Sequence, residues 1–330
     1  MANTASLEKT YQKKTDRQHI LDAPDTYIGS VEETEYDTFV LERSEDEEVS
    51  NKITKKQINI IPGLYKLFDE GIVNCRDHVA RMASREKSKE NHHVTYIDIS
   101  IDEEGVITMT NDGNGIDVAK HPEHQLWIPE MIFGHLRTST NYNKEEKKIV
   151  GGKNGFGFKL VLIWSEWGEI ETYDHIRKLK YKQRFSDNLN TIHEPEIKKG
   201  GGKPFTRITF KPDYKRFGIA SGKLPDVMRT LLERRIYDIA AVTDKKVIVK
   251  YNSKALEIKT FQQFSKKNCP FCNTGNVLLG TQGMPYLEHK ECLAWNTGNV
   301  LLGTRGMSCL EHEECLAWLE HRECFCLKHK

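Results

Sequence analysis

The sequence predicts an α+β domain, one mixed sheet with helices packed on it, followed by a small Cys/His-rich tail. Three observations carry this. Apolar residues at 64, 67, 68, 72, 75, 79 and 82 recur at helical spacing. YIDISID (96–102) and VITMT (106–110) alternate apolar and polar residues on either side of an EEG turn, the pattern of a β-hairpin. From about residue 266 the composition changes, and seven of the eight cysteines fall in the last 62 residues.

The totals bound the rest. A chain of 330 residues suffices for one large domain or two ordinary ones. Hydrophobic content of 38% and charged content of 29% fit a folded, soluble protein. A net charge of +1 gives no global field that draws nucleic acid, so only a local basic patch remains open. The N-terminus, MANTASLEKTYQKKTD, has no apolar core of a secretory signal, and no apolar run approaches a membrane span. An intracellular protein is expected, nuclear or cytoplasmic, not secreted and with no membrane partner. Thiols there stay reduced.

Taken in order, residues 1–30 end in the turn-rich APDTYIGSV. Residues 32–57 are polar and acidic and read as a loop with some strand. The helix follows at 63–84, with Pro62 near its start, where helices accept proline. The hairpin at 96–110 runs into NDGNG, and 128–136 suggests a short helix. Residues 137–158 read as a loop rich in Thr, Ser, Asn and Gly. Further strands are expected at 160–173, 177–186, 205–211 and 246–251, with a helix at 224–241.

Three stretches offer chemistry. On the first helix, Glu70, Asn74, Asp77 and Arg81 fall at i, i+4, i+7 and i+11 and form a polar stripe opposite the apolar one. A carboxylate one turn before a carboxamide can hold a water beside a metal ion. The Asn oxygen is a hard ligand that suits Mg²⁺, and the carboxylate can take a proton from an attacking water. A solvated helix face explains the same spacing. NDGNG after a strand lets Asn111 reach into a pocket, though NDG is also a common hairpin turn. GGKNGFGFKL (151–160) can line an anion with backbone N–H groups, with a lysine as point charge; glycine-rich loops also simply turn the chain. It is not a P-loop, which needs GxxxxGK[ST].

The order of these stretches resembles the GHKL ATPase superfamily, which includes type II topoisomerases, MutL, heat-shock chaperones and histidine kinases. Within it, KTYQKKTDRQHILDAPDTYIGSVE resembles the N-terminal strap of eukaryotic and viral DNA topoisomerase II. FDEGIVNCRDH, NDGNGIDV, IPEMIFGHLRTSTNYN, KKIVGGKNGFGFKL, TRITFKPD and RRIYDIAA are similar to that enzyme's ATPase domain, in the same order. The resemblance covers about residues 8–265. It implies a strap at 1–30 and a GHKL (Bergerat) domain at 31–265, a mostly antiparallel mixed sheet with helices on one face. The tail occupies 266–330. The strap and the TSTNY segment argue against a mismatch-repair or chaperone member.

The resemblance also implies roles. Glu70 matches the general base and Asn74 the Mg²⁺-binding Asn; Asp77 belongs to the same helix motif. Asn111 matches the adenine-reading position, Ile116 and Ile132 the walls of the base pocket, and Thr206 a polar residue near the base. Ser139, Thr140 and Asn141 match residues that contact ribose and phosphates. Lys153, Asn154, Gly155, Phe156, Gly157 and Lys159 match the phosphate-wrapping loop. There are departures. His78 stands where the family has a second Asn that helps hold the nucleotide. Phe158 replaces a small residue, so it either crowds the loop or repacks behind it. Lys153 replaces the usual Arg, which keeps the charge but loses the planar fork. The resemblance stops near Phe264, where the family's transducer domain, with its γ-phosphate lysine, would begin. It thus implies Mg·ATP binding and strap-mediated homodimerisation. DNA is engaged only within a full assembly; the chain is expected to be either truncated or part of a split enzyme in which a separate chain carries the transducer and cleavage domains. Hydrolysis is slow or absent unless another chain supplies the lysine.

The tail holds a tandem repeat, NTGNVLLGTQGMPYLEHKECLAW (273–295) and NTGNVLLGTRGMSCLEHEECLAW (296–318), differing at four positions. Cys269-x2-Cys272 followed by His289-x2-Cys292 has the ligand types and pair spacing of a structural zinc site. A duplicated, poorly ordered extension is the plainer reading. Seven Lys/Arg against seven Asp/Glu argue against DNA binding there. A second function therefore stays open: a non-catalytic GHKL-fold interaction protein whose zinc-binding tail recruits or competes with a topoisomerase partner.

Overall fold

The computed structural model describes residues 14–42, 52–136, 157–261 and 263–264, and within the tail 295–296 and 299–300. Helix α1 (Asp16–Asp22) opens on a capping box: Thr15 Oγ1 accepts from Gln18 N, and Gln18 answers to Thr15 N. A single turn, α2 (Pro24–Tyr27), follows. The acidic stretch then forms two nine-residue antiparallel strands, β1 (Thr34–Glu42) and β2 (Lys52–Ile60), a fuller hairpin than its polarity suggested. Its buried residues, Val40, Leu41, Ile53 and Ile60, sit on the core.

Helix α3 (Pro62–Ala83) matches the expected segment, and its apolar stripe of Leu64, Leu67, Phe68, Ile72, Cys75, Val79 and Met82 is buried. The sequence hairpin is β3 (Tyr96–Ile101) and β4 (Ile107–Asp112); α4 (Ile128–Gly134) is the short helix. Strands β5 (Ser165–Asp174), β6 (Leu179–Ser186), β7 (Thr191–Ile192), β8 (Glu196–Lys199) and β9 (Phe205–Pro212) follow, then α6 (Asp226–Val242), β10 (Ile248–Tyr251) and β11 (Lys254–Ala255).

One expectation fails. Residues 160–163, read as the start of a strand, belong to helix α5 (Gly157–Ile163), and the strand begins at Ser165. Phe158 and Leu160 through Ile163 are all buried, so the run carries no periodic signal, and a short apolar run cannot be assigned by pattern alone.

The main sheet runs β11-β10-β3-β4-β9-β5-β6-β7, with β8 on β6. Only β10 and β3 pair in parallel; the other pairings are antiparallel. Ile97, Ile99, Ile107, Met109, Ile170, Ile208 and Phe210 turn inward and are buried beneath α3, α5 and α6. The outward phase is polar, with Glu171–Arg207 and Glu169–Lys182 pairs at 3.6 and 2.8 Å. This is the α+β, mostly antiparallel sheet with helices on one face. No helix among the described residues is long and apolar enough to cross a membrane.

Candidate nucleotide site

The inward face of the sheet changes character along one row. Inward residues are apolar at Ile107 and Met109 of β4, Ile208 of β9 and Ile170 of β5, and then polar at Asn111, Thr206 and Thr172. Register places these three in one line: Asn111 opposite Thr206, and Thr206 opposite Thr172. An inward polar row at a sheet end is costly unless it is hydrogen-bonded. Here it is. Thr172 Oγ1 donates to Phe205 O at 2.9 Å, accepts Ile116 N–H at 2.9 Å and lies 3.4 Å from Thr206 Oγ1. Asn111 Nδ2 donates to Asp112 O at 2.9 Å.

The turn after β4 is locked around this row. Asp112 accepts from Thr95 N at 2.7 Å, from Tyr96 N at 3.0 Å and from Thr95 Oγ1. Gly113 has φ +97°, a left-handed conformation that disfavours side chains. Gly115 passes so close to β5 that an added Cβ would lie 2.0 Å from Tyr173 O. Asp174 then accepts Val118 N–H at 2.9 Å and pairs with Arg177 at 2.8 Å. Ile116, bonded through its N–H to Thr172, and Ile132 of α4 are both half-buried against the core.

Helix α3 crosses the sheet at close range, because Gly71 has no side chain: a Cβ there would meet Met109 Sδ at 2.5 Å. That approach brings Glu70 to the start of α5, where a Cβ on Gly157 would sit 2.5 Å from Glu70 Oε2. Lys66 Nζ pairs with Glu70 Oε1 at 2.6 Å. One turn on, Asn74 is exposed, and its Nδ2 donates to Glu70 O at 2.7 Å. The predicted polar stripe is therefore split. Asn74 and Arg81 are exposed, while Asp77 is 2% exposed and lies 3.8 Å from Arg76.

His78 faces the NDGNG turn. Its Nε2 is buried with no hydrogen-bond partner among the described residues, and it would lie 3.1 Å from a Cβ on Gly113. Burial, reinforced by Arg81, pushes its imidazolium down to about 4. Lys159, in the first turn of α5, is 3% exposed, and desolvation lowers its ammonium to about 8. Phe158 is buried, edge-on to Phe133 and Phe210 at 5.5 and 5.9 Å. Ser139, Thr140, Asn141, Lys153, Asn154, Gly155 and Phe156 lie outside the described residues, as do Cys269, Cys272, His289 and Cys292. A recess of about 770 Å³ near Asp102, Asp226 and Arg229 lies at the opposite end of β3 and is unrelated to this row.

Residues 59–216 match the family described as "Histidine kinase-, DNA gyrase B-, and HSP90-like ATPase". The chain carries a GHKL ATPase domain homologous to the ATPase region of type II DNA topoisomerases. DNA topoisomerase 2 of Acanthamoeba polyphaga mimivirus is 43% identical over 263 residues, which are 79% of this chain and 20% of that relative. The crystal structure of the ATPase region of Saccharomyces cerevisiae topoisomerase II superposes with a TM-score of 0.71 at 38% identity, over 79% of this chain and 65% of that one. The ATPase and transducer domains of Balamuthia mandrillaris topoisomerase II give 0.71 at 34%, over 79% and 64%. The chain thus spans about a fifth of the length of the mimivirus relative.

Some working parts of this GHKL domain escaped the sequence. Thr172 and Asp112 position Ile116 and the turn, yet no motif announces them; the available signal was a polar residue at the inward phase of a strand. Asp69, beside Glu70, pairs with Arg235 of α6 at 2.8 Å, and Arg235 lies 3.8 Å from Asp238. This buried link fixes α3 against α6 next to the carboxylate.

Proposed function

We propose that the GHKL domain binds Mg·ATP and serves as the ATP-operated, dimerising gate of a type II topoisomerase. The observation that carries this is the Asn111–Thr206–Thr172 row, which presents hydrogen-bonding groups beside Ile116, while Glu70 and Asn74 stand on helix α3 packed over the same sheet. The donor set fits the nucleotide. Asn111 and Thr206 read the base edge, with Ile116 and Ile132 as walls. Asn74 offers a hard oxygen to Mg²⁺. His78, beside Asp77, helps hold the ribose and phosphates, and its buried Nε2 has no hydrogen-bond partner among the described residues. Lys159 stabilises phosphate charge, with Gly157 and residues Lys153–Phe156 wrapping the phosphates and Ser139, Thr140 and Asn141 completing the ribose contacts.

The chain's own residues set the chemistry. Bound Mg²⁺ supplies charge neutralisation on the phosphate oxygens. Glu70 takes a proton from the attacking water, and its ion pair with Lys66 orients the carboxylate. Helix α1 is anchored through Ile20, fully buried, and packs on α5, the helix that carries Lys159. This contact supports coupling between the nucleotide and a strap that joins two copies. DNA is met through the full assembly, with the transducer and cleavage functions on the same or a separate polypeptide. An intracellular location, nuclear or cytoplasmic, follows from that role.

The test is Glu70→Ala. In an assembly that supplies the transducer lysine, single-turnover hydrolysis is expected to fall by about 10²–10⁴-fold with Mg·ATP affinity unchanged. Unchanged hydrolysis overturns the assignment of the base. The second reading, an interaction protein with zinc held by Cys269, Cys272, His289 and Cys292, rests on that ligand spacing. It predicts one zinc lost on replacing Cys269 and Cys272, together with no ATP turnover in any assembly.

A further inference from the structure

The loop before α4 carries a set of side chains that the nucleotide reading does not use. His121, Glu123 and His124 each offer one ligand atom, and these atoms lie within 4.8 Å of one another. The two imidazoles are stacked, with centroids 4.7 Å apart and planes 19° apart. The backbone beneath them is closed tightly. His121 N donates to Leu126 O at 2.7 Å, Gln125 N to His121 O at 2.9 Å, and Ile128 N to Ala119 O at 2.9 Å. Gln125 takes φ +56° to close the turn, and its Nε2 donates to Pro122 O at 2.8 Å. Among the described residues no ion pair engages Glu123, His121 or His124. The only side-chain bonds are two long ones, 3.3 Å each, from Glu123 N and His124 N to His121 Nδ1.

We propose that His121, Glu123 and His124 form a binding site for a borderline divalent transition metal of the Zn²⁺ class. Two imidazoles and one carboxylate, leaving a fourth position for water, make a donor set that suits Zn²⁺, Ni²⁺ or Cu²⁺; Mg²⁺ prefers oxygen alone. The closed turn has already ordered the ligand-bearing backbone, so binding costs mainly the side-chain rotamers and the two long hydrogen bonds at His121 Nδ1. The loop leads directly into α4, which bears Ile132 and packs through Phe133 on Phe158. A bound ion thus clamps the entry to one wall of the nucleotide site. The site stands whether or not the chain binds ATP.

The experiment titrates ZnCl₂ into the untagged full chain. It is repeated in a Cys269→Ser/Cys272→Ser background, so that a tail site is counted separately. One zinc equivalent is expected to survive the cysteine replacements. That equivalent should weaken at least about tenfold in Glu123→Gln and vanish in His121→Ala/His124→Ala. Hydrogen exchange at 119–128 should slow on zinc addition in the parent and not in the double His variant, and millimolar Mg²⁺ should not compete. No zinc equivalent in the cysteine-replaced chain, or one indifferent to His121 and His124, overturns the proposal.

Discussion

The two ends of the proposed nucleotide site are built differently. At the base end, Asn111, Thr206 and Thr172 are set by strand register, and Asp112 and Thr172 hold the following turn through five hydrogen bonds. At the phosphate end, Glu70 and Asn74 project from one helix. Their described contacts are one ion pair, one local bond and the approach to Gly157. The proposed base end is therefore fixed by the fold, and the proposed phosphate end is a set of polar groups with few described contacts. Substitutions at the first should cost stability. Those at the second should cost nucleotide binding or turnover and leave the fold intact.

Gly115→Ala should show the contrast most strongly. A Cβ 2.0 Å from a backbone oxygen forces the turn off β5, and about 3 kcal/mol of stability should be lost. Thermal unfolding measures it, and an unchanged Tm breaks the claim that the turn is locked.

His78 joins the two ends and gives a pH signature. Its folded pKa of about 4 lies below the ordinary imidazole value of 6.5, so between these values the unfolded chain binds more protons. Stability is then complete above pH 6.5 and is lost as pH falls toward 4, by at most about 3 kcal/mol. Denaturant titrations from pH 7 to 4 should show this slope, and His78→Asn should flatten it. An identical slope in the variant removes His78 as the cause.

Thr172→Val keeps the shape and deletes both hydrogen bonds, leaving Ile116 N without its acceptor. A loss of about 1–2 kcal/mol is expected, with weaker nucleotide binding as the turn loosens. Loss of affinity with full stability would place Thr172 at the ligand rather than in the scaffold.

What the sequence revealed follows the same division. Helix α3 and the β3–β4 hairpin were legible because one face of each is buried and the other is not, so the apolar pattern repeats at the element's own period. Helix α5 was not, since LVLI is buried on every side and has no period to read. The stripe offered Glu70 and Asn74 and the turn offered Asn111, while the resemblance gave Asn111 its role and added Thr206. That stripe was half right: Asn74 is exposed and Asp77 is buried. Thr172 and Asp112 stayed hidden because their partners are fixed by strand register and turn geometry, such as Phe205, 33 residues from Thr172. The loop residues between 137 and 156 lie outside the described residues, so their expected phosphate contacts rest on resemblance alone.

The most direct test of a phosphate end built for Mg·ATP is calorimetric titration of Asn74→Ala beside the parent chain. Asn74 is exposed, and its one described bond is to its own helix, so the variant should fold with an unchanged Tm. The account predicts that Mg·ATP binding is lost while the fold is kept. Mg·ATP binding of parental strength in a folded Asn74→Ala chain would contradict it.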